Sequence, residues 1–313
     1  MASPSSLDSA LISLTCTDHP TDIFAVATSP KLVVSATGDS KLRVWNALSS
    51  DHELVREIST SHRVGIHHVS VSSQADLLAA VGFDGSISVW TLSSGDHLIT
   101  LSDPKVTFWA VSLASDGQYL AATTIDGNIS VFARDDQGFV SCGYLETKGT
   151  PGLCVDYSND GLYIASGHEN GGLYIFSTET ALLIHSLAGH VKSVRSVAFS
   201  PSSRLLAAAG DSRIVTVYSV KSGEMVFTLP GHSRWIMSLD WNFNGEHIIT
   251  SSFDQTLKVW SIENRECVAT QNEAEGPVWT AKWTKTDGTG RPQGFVSAGT
   301  DKVLRWYREA SGT

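Results

Sequence analysis

The sequence is poor in positive charge. It has 22 Lys and Arg residues against 32 Asp and Glu residues, a net charge of −10, and no Lys/Arg cluster along the chain. Direct nucleic-acid binding is therefore not expected, because it needs a concentrated positive surface. No apolar run approaches the ~18 residues of a membrane span, and the N-terminus lacks the features of a secretory signal. We expect an intracellular protein without membrane contact.

Cysteine and catalytic motifs are also scarce. The four cysteines are widely spaced, without a C-x-x-C pair, which predicts buried reduced thiols: Cys16, Cys142, Cys154 and Cys267. The chain has no G-x-x-x-x-G-K-S/T phosphate loop, no H-E-x-x-H and no G-x-S-x-G elbow. Its scattered turn aspartates are typical of turn formers rather than of metal ligands. No catalytic residue, metal or cofactor is expected.

The sequence does contain a repeat. An apolar run, a Gly/Asp/Asn-type turn and a short β-rich segment that ends in an aromatic residue recur seven times. The closing aromatics are spaced by 45, 42, 44, 42, 42 and 47 residues: Trp45, Trp90, Phe132, Phe176, Tyr218, Trp260 and Tyr307. This spacing is close to the ~40–45 residues of WD repeats, each of which supplies one four-stranded blade. It predicts an all-β, seven-bladed WD-repeat propeller over 11–313, after a disordered segment at 1–10.

The ends of the repeat array predict how the ring closes. The segment 11–16 precedes the first innermost strand, predicted at 23–28, and has no blade of its own. We expect it to form the outer strand of blade seven, because this closure removes an open sheet edge. The extra length of repeat seven falls in the Gly- and Pro-containing segment 284–294, which predicts an exposed hairpin excursion.

Repeat six contains a set that could be mistaken for a nucleophilic triad: His232, Thr250, Asp254 and Trp260. Incomplete versions recur in two other repeats: His62, Asp84 and Trp90 with Ala80, and His190 with Ala208 and Ser212. A hydrogen-bonded chain that satisfies buried polar groups tolerates such losses, whereas a catalytic set is needed only once. We interpret these residues as structural. The alternative, a hydrolase, predicts that His232→Ala abolishes turnover and leaves the fold intact.

Alignment of the repeats on the first strand selects one position per blade, near the rim of the central opening: Phe24, His67, Trp109, Leu153, Arg195, Met237 and Trp279. Nearby positions add Asp22, Trp235, Phe83 and Phe253 to the same surface. An aromatic and Met-rich patch is typical of an interaction hot spot. The prediction is a peptide-binding face in which Trp235, Trp279, Phe24 and Trp109 dominate and Arg195 contacts an acidic or carbonyl group of a partner.

Over residues 16–313 the chain resembles the small WD-repeat subunit of the superkiller complex, especially its fungal members. The resemblance is carried by five segments: DIFAV (22–26), VGIHHVSV (64–71), FWAVSL (108–113), WIMSLDW (235–241) and LRWYREASGT (304–313). It implies a noncatalytic propeller that binds a tetratricopeptide scaffold beside an RNA helicase. That assembly assists the cytoplasmic exosome in 3′-to-5′ decay of messenger RNA.

The resemblance further implies a meiotic topoisomerase-like recombination protein as a partner in fungi. Animal relatives join the RNA polymerase II associated factor complex, so both cytoplasmic and nuclear localisation are expected. The top face of the family accepts short segments that contain a Gln-Arg pair and a downstream hydrophobic residue. We expect the isolated chain to be a monomer.

Two other binding functions compete with this interpretation. A nuclear adaptor or histone-tail reader in a transcription complex is chemically reasonable, because aromatic faces such as those of His67, Trp109 and Trp279 attract cations. A substrate receptor of a cullin ubiquitin ligase is disfavoured, since its adaptor motif needs Trp-Asp followed by Arg. None of the seven closing aromatics is followed by Asp.

Overall fold

The strands form seven four-stranded antiparallel sheets. The computed structural model describes residues 12–16, 19–49, 51–72, 74, 76–136, 138–272, 274–284 and 294–308, and all regular structure there is β-strand. Within these ranges no helix reaches the length and apolarity that a bilayer span requires. The fold is the predicted seven-bladed propeller. The segment 1–10 and, apart from its end residues, the predicted excursion at 284–294 lie outside the described residues.

Each blade is an up-and-down sheet whose strands follow chain order from the channel outward. Blade one contains β2 (Ile23–Thr28), β3 (Leu32–Thr37), β4 (Lys41–Asn46) and β5 (Leu54–Ser59). Blade two contains β6 (Ile66–Val71), β7 (Leu77–Gly82), β8 (Ile87–Thr91) and β9 (His97–Leu101). Blade three contains β10 (Phe108–Leu113), β11 (Tyr119–Thr124), β12 (Ile129–Asp135) and β13 (Gly138–Leu145).

The next three blades repeat this order. Blade four contains β14 (Gly152–Tyr157), β15 (Tyr163–His168), β16 (Leu173–Ser177) and β17 (Leu183–Leu187). Blade five contains β18 (Val194–Phe199), β19 (Leu205–Gly210), β20 (Ile214–Ser219) and β21 (Met225–Pro230). Blade six contains β22 (Ile236–Trp241), β23 (His247–Ser252), β24 (Leu257–Ser261) and β25 (Glu266–Gln271).

Blade seven joins the two ends of the chain. It contains β26 (Val278–Trp283), β27 (Gly294–Gly299), β28 (Leu304–Arg308) and, as its outermost strand, β1 (Ile12–Cys16). β1 pairs antiparallel with β28, from Ile12 opposite Arg308 to Cys16 opposite Leu304. The predicted closure is confirmed. Between blades one and seven, the Thr28 hydroxyl donates to the Trp283 carbonyl at 2.8 Å.

The hydrophobic core is divided among the seven interfaces between neighbouring blades. One buried cluster occupies each interface, as at blades five and six, where Val215 and Leu229 pack with Ile236 and Trp260. Because side chains alternate along a strand, each blade contributes one face to either neighbour. The Ala-rich second strands, such as β19 with the sequence LLAAAG, let neighbouring sheets approach closely.

The connections between strands define two ends of the ring. The loops between blades and the turns between second and third strands lie at one end, here called the top face. The turns between first and second and between third and fourth strands lie at the other end, the bottom face. This arrangement follows from the antiparallel order within each sheet.

Two of the thiols predicted to be buried are exposed. Cys142 in β13 and Cys267 in β25 belong to outermost strands, whose outer surface meets solvent, whereas Cys154 in β14 is buried near the channel. The prediction of burial was wrong for Cys142 and Cys267 because cysteine spacing contains no information on strand order. The side chain of Cys16 lies outside the described part of the chain.

Candidate partner-binding face

Every innermost strand has a β-bulge at its second residue. In each blade, the pairing of the first two strands skips one residue: Phe24, His67, Trp109, Leu153, Arg195, Met237 or Trp279. A bulge removes the extra residue from the ladder and re-aims its side chain. All seven line the central channel, and they are the seven positions that the repeat alignment selects.

Seven of the predicted site residues form a continuous row of rings, here called the aromatic arc: Trp235, Phe253, Trp279, Phe24, Phe83, His67 and Trp109. Successive ring centroids are separated by 5.6, 6.0, 6.3, 5.3, 4.6 and 4.5 Å. These distances are typical of favourable aromatic pairs. The arc follows the top rim across blades six, seven, one, two and three.

The arc is partly open to solvent. Trp235 is 44% exposed and Phe83 is 41% exposed, while Phe24, Trp109 and Trp279 are half-buried. Large exposed aromatic surface is unfavourable in water, so a contiguous row of such rings indicates an interaction surface. Asp22, two residues before Phe24, is half-buried, and Met237 lines the channel.

Two polar atoms in the arc have no hydrogen-bond partner among the described residues. The Nε2–H of His67 donates to the Trp109 carbonyl at 2.7 Å, and burial lowers the pKa of His67 to about 4, so its ring is neutral. Nδ1 of His67 is therefore an acceptor without a hydrogen-bond donor among the described residues. The indole N–H of Trp279 is a donor without an acceptor among the same residues. Buried groups of this kind normally have partners.

Arg195 adjoins the end of the arc. Its guanidinium lies 4.9 Å from the ring centroid of Trp235 and makes two hydrogen bonds to the Asp211 carboxylate, at 2.5 and 3.2 Å. The charge predicted to contact a partner is thus already paired within the chain. Repeat alignment missed this pair, because Asp211 stands one residue before the turn position that carries Asp254 in blade six.

Below the rim, polar side chains connect the innermost strands. The Asp156 carboxylate accepts the Phe199 N–H at 2.8 Å, and the Asp240 carboxylate accepts the Trp283 N–H at 2.9 Å while it pairs with Lys282 at 3.2 Å. Burial raises the pKa of Asp156 to about 6 and lowers that of His68 to about 3. Because these bonds connect neighbouring blades, they hold the rim positions in a fixed ring.

The set in repeat six forms one hydrogen-bonded chain inside its blade. The Trp260 N–H donates to the Thr250 hydroxyl at 2.9 Å, Thr250 lies 2.7 Å from Nε2 of His232, and Nδ1 of His232 lies 2.9 Å from Asp254. Burial alone would raise the pKa of Asp254, but bonds from His232, Thr256 and Ser233 outweigh it and keep that pKa well below its ordinary value. Thr250 is fully buried.

The incomplete sets lack parts of this chain. In blade two, Nδ1 of His62 lies 3.1 Å from Asp84, while Nε2 has no partner among the described residues because Ala80 replaces the hydroxyl; the His62 ring packs edge-on against Trp90. In blade five, neither ring nitrogen of His190 has a partner among the described residues, nor does the Ser212 hydroxyl.

Blade one contains a set that sequence reasoning missed. Nε2 of His19 lies 2.9 Å from the Ser35 hydroxyl, which also accepts the Trp45 N–H at 3.0 Å. His19 precedes the rim residue Phe24 by five positions, as His232 precedes Met237, and this offset is the signal that could have identified it. No group of three or more His, Cys, Asp or Glu side chains in the described ranges is arranged to hold a metal ion.

Known proteins support the same architecture. The family model "WD domain, G-beta repeat" matches residues 12–46, 53–91, 182–219 and 223–261. The meiotic recombination protein rec14 of Schizosaccharomyces pombe is 44% identical over 94% of this chain and 95% of its own length. The WD repeat-containing protein SL1-17 of Schistosoma mansoni is 28% identical over 59% of this chain and 60% of its own.

A further relative is the antiviral protein SKI8 of Saccharomyces cerevisiae, which is 27% identical over 62% of this chain and 60% of its own length. The similarity to rec14 extends over nearly all of both chains, so it includes every blade and the rim positions between them. The chain belongs to the WD-repeat family and, within it, to the Rec14 and SKI8 type.

Proposed function

We propose that this chain is a noncatalytic scaffold whose aromatic arc captures short peptide segments of partner proteins. The observation that carries the proposal is the arc itself, with seven rings from five blades on one rim. Exposed ring surface of Trp235 and Phe83, at 44% and 41%, is available to an apolar side chain of such a peptide. The closed ring keeps these groups in place, which reduces the entropy lost on the protein side when a peptide binds.

The complex we propose for it is the superkiller complex. There the chain would bind the tetratricopeptide scaffold beside the RNA helicase and help the cytoplasmic exosome degrade messenger RNA from the 3′ end. A second, nuclear role in meiotic recombination would use the same face for the topoisomerase-like protein. The 44% identity to a meiotic recombination protein and the likeness to SKI8 support the two roles.

A hydrolytic function is not proposed, because the apparent triad is internal. The Thr250 hydroxyl is fully buried between Trp260 and His232, so a substrate carbonyl has no approach to it. A buried chain of satisfied polar groups stabilises the blade instead. His232→Ala is accordingly expected to lower the stability rather than to abolish a turnover.

Affinity purification from native cells with mass spectrometry would test the proposal. The wild type is compared with Trp235→Ala/Trp279→Ala, which shortens the arc, and with Tyr119→Ala/Phe243→Ala, which removes two bottom-face aromatics that are 47% and 54% exposed. Thermal melting establishes that all three proteins are folded. We expect the helicase and the tetratricopeptide scaffold with the wild type and the bottom-face variant only.

Other outcomes would redirect the proposal. Retention of both partners by the arc variant would place their binding elsewhere on the propeller. Recovery of ubiquitin-ligase adaptors or histones by the wild type would contradict the superkiller assignment, and titration with histone-tail peptides would then measure the reader function directly.

A further inference from the structure

A cleft opens on the top face between blades five and six and includes the two end residues of the aromatic arc, Trp235 and Phe253. Its walls include Lys192, Arg213 and Arg234, and its floor includes Trp235 and Phe253. Each cation comes from a different connection: the loop before blade five, the turn between β19 and β20, and the loop before blade six. About twenty residues separate neighbouring members, so the folded ring creates a basic cluster that is absent from the linear sequence.

The three cations have no acidic partner in the described part of the chain. Among the described residues, no carboxylate lies within 4.0 Å of the charged atoms of Lys192, Arg213 or Arg234. Asp211, the acidic residue in the cleft wall, is engaged with Arg195. The side chains of all three cations belong to exposed residues. In a chain with a net charge of −10, this is a local positive field that favours an anionic ligand.

The floor of the cleft is aromatic. The rings of Trp235 and Phe253 are 5.6 Å apart, and the Arg234 guanidinium lies 5.8 Å from the Phe253 centroid. Trp235 is nearly half exposed, although it is the largest apolar side chain at this site. A guanidinium held over an aromatic face keeps its in-plane N–H donors for hydrogen bonds with other groups. The site therefore combines an apolar contact with charged donors around it.

We propose that this cleft binds an acidic peptide segment in which Asp or Glu residues flank a large apolar side chain. The apolar side chain would pack on Trp235 and Phe253, and separate carboxylates would pair with the cations on the three loops. Three cations on separate loops around an apolar floor suit several monovalent carboxylates, and they are too few to track a nucleic-acid backbone. The inference rests on the proposed function, since it adds a second specificity element to the same peptide-binding rim.

The test uses fluorescence anisotropy with the full chain and three labelled peptides. The acidic probe is Gly-Glu-Glu-Phe-Glu-Glu-Gly, its neutral counterpart replaces every Glu by Gln, and the third probe contains a Gln-Arg pair followed by Leu. The cleft variant is Lys192→Gln/Arg213→Gln/Arg234→Gln. The matched control, Lys31→Gln/Arg204→Gln/Lys221→Gln, removes the same number of cations from exposed bottom-face turns.

We expect the acidic probe to bind wild type about tenfold more tightly than the neutral probe, and the cleft variant to lose that difference. The bottom-face variant keeps it, and raising the salt to about 0.5 M weakens it. Equal binding of both probes by wild type would overturn the inference. So would equal losses in the cleft and control variants, because net charge alone would then explain binding.

The third probe separates this inference from the proposed function. If the cleft variant binds the Gln-Arg peptide like wild type but wild type ignores the acidic probe, the inference fails and the peptide-binding rim stands. If wild type binds the acidic probe through the cleft and does not bind the Gln-Arg peptide, the inference stands. The expectation that the top face accepts a Gln-Arg segment then fails. Tighter binding of a single-stranded RNA oligonucleotide at the cleft than of the acidic probe would contradict the inference.

Discussion

Blades five and six are neighbours with the same strand order, yet their turn aspartates bond in different places. In blade six, Asp254 points into the blade and bonds to buried His232. In blade five, Asp211 stands one residue earlier and points to the rim, where it pairs with Arg195. A shift of one residue thus separates a carboxylate that bonds inside the blade from one that pairs with an arginine on the top rim. Stability and binding measurements should respond differently to the two.

Removal of the two carboxylates gives the largest expected contrast. Asp254→Ala should lower the free energy of unfolding by about 3 kcal/mol, because His232 and the Ser233 N–H lose a buried charged acceptor. Asp211→Ala should cost less than about 1 kcal/mol, because its pair with Arg195 is partly solvated. Chemical denaturation measures both. Equal losses of unfolding free energy in the two variants would mean that the hydrogen-bonded set of blade six contributes no more than a partly exposed ion pair.

A strand hydroxyl in blade six and a turn hydroxyl in blade five give a second contrast. Thr250→Val keeps the side-chain shape but leaves the Trp260 N–H and Nε2 of His232 unpaired, so we expect a loss of about 2 kcal/mol. Ser212→Ala in blade five removes a hydroxyl that bonds to no described residue, and its effect should stay within about 0.5 kcal/mol. Denaturant midpoints at constant m-value would check both variants. If Thr250→Val left the free energy of unfolding unchanged, the structural role of the hydrogen-bonded set in blade six would be contradicted.

Lowering the pH should reduce the stability of the fold through His190 in blade five, whose ring nitrogens have no partner among the described residues. Burial lowers the pKa of His190 to about 4 from the ordinary 6.5. Between these pH values the unfolded chain binds a proton that the folded chain does not, so the contribution of His190 to stability falls as the pH decreases. Between pH 6.5 and about pH 5 the loss should be about 1 to 2 kcal/mol.

The control for this pH effect is His190→Phe, which removes the titrating group from the same buried position. His67 and His68 titrate in the same direction, and the raised pKa of Asp156 acts in the opposite one, so only the difference between wild type and variant isolates His190. We expect the variant to gain stability relative to wild type on acidification. If the free energies of unfolding of wild type and variant changed with pH in parallel, His190 would not titrate in this range.

The smallest effect on stability should come from completing the hydrogen-bonded set of blade two. Ala80→Ser places a hydroxyl opposite Nε2 of His62, which bonds to no described residue. A new buried hydrogen bond is worth about 0.5 to 1 kcal/mol, so we expect a gain of that size in the free energy of unfolding. The same replacement at Ala79, which faces a different blade interface, is the control. A loss at position 80 equal to that at 79 would show that the site cannot accommodate a hydroxyl.

Much of the fold was predictable because one repeat specifies every blade. The first innermost strand, predicted at 23–28, is β2 with the bounds Ile23–Thr28. The rim positions were found for the same reason. Each blade has its bulge at the same place, so alignment on the first strand selects the re-aimed residue in every repeat.

Side-chain pairing and exposure could not be predicted from the repeat pattern. The pairing of Arg195 with Asp211 depends on a one-residue shift, and the basic cluster in the cleft unites three connections that are distant in sequence. The exposure of Cys142 and Cys267 follows from strand position within the blade rather than from spacing. Of these features, the basic cluster alone depends on the packing of two blades, which places side chains of different repeats together.

Site-specific photo-crosslinking tests the central claim, that the top rim is the partner-binding face. A benzophenone amino acid replaces Phe83 in the arc or, as a matched control, Phe243 on the bottom face, since both are exposed phenylalanines. After irradiation in native cells, mass spectrometry identifies the crosslinked proteins. The account predicts partner adducts from position 83 and none from position 243. Adducts from position 243 alone would contradict it.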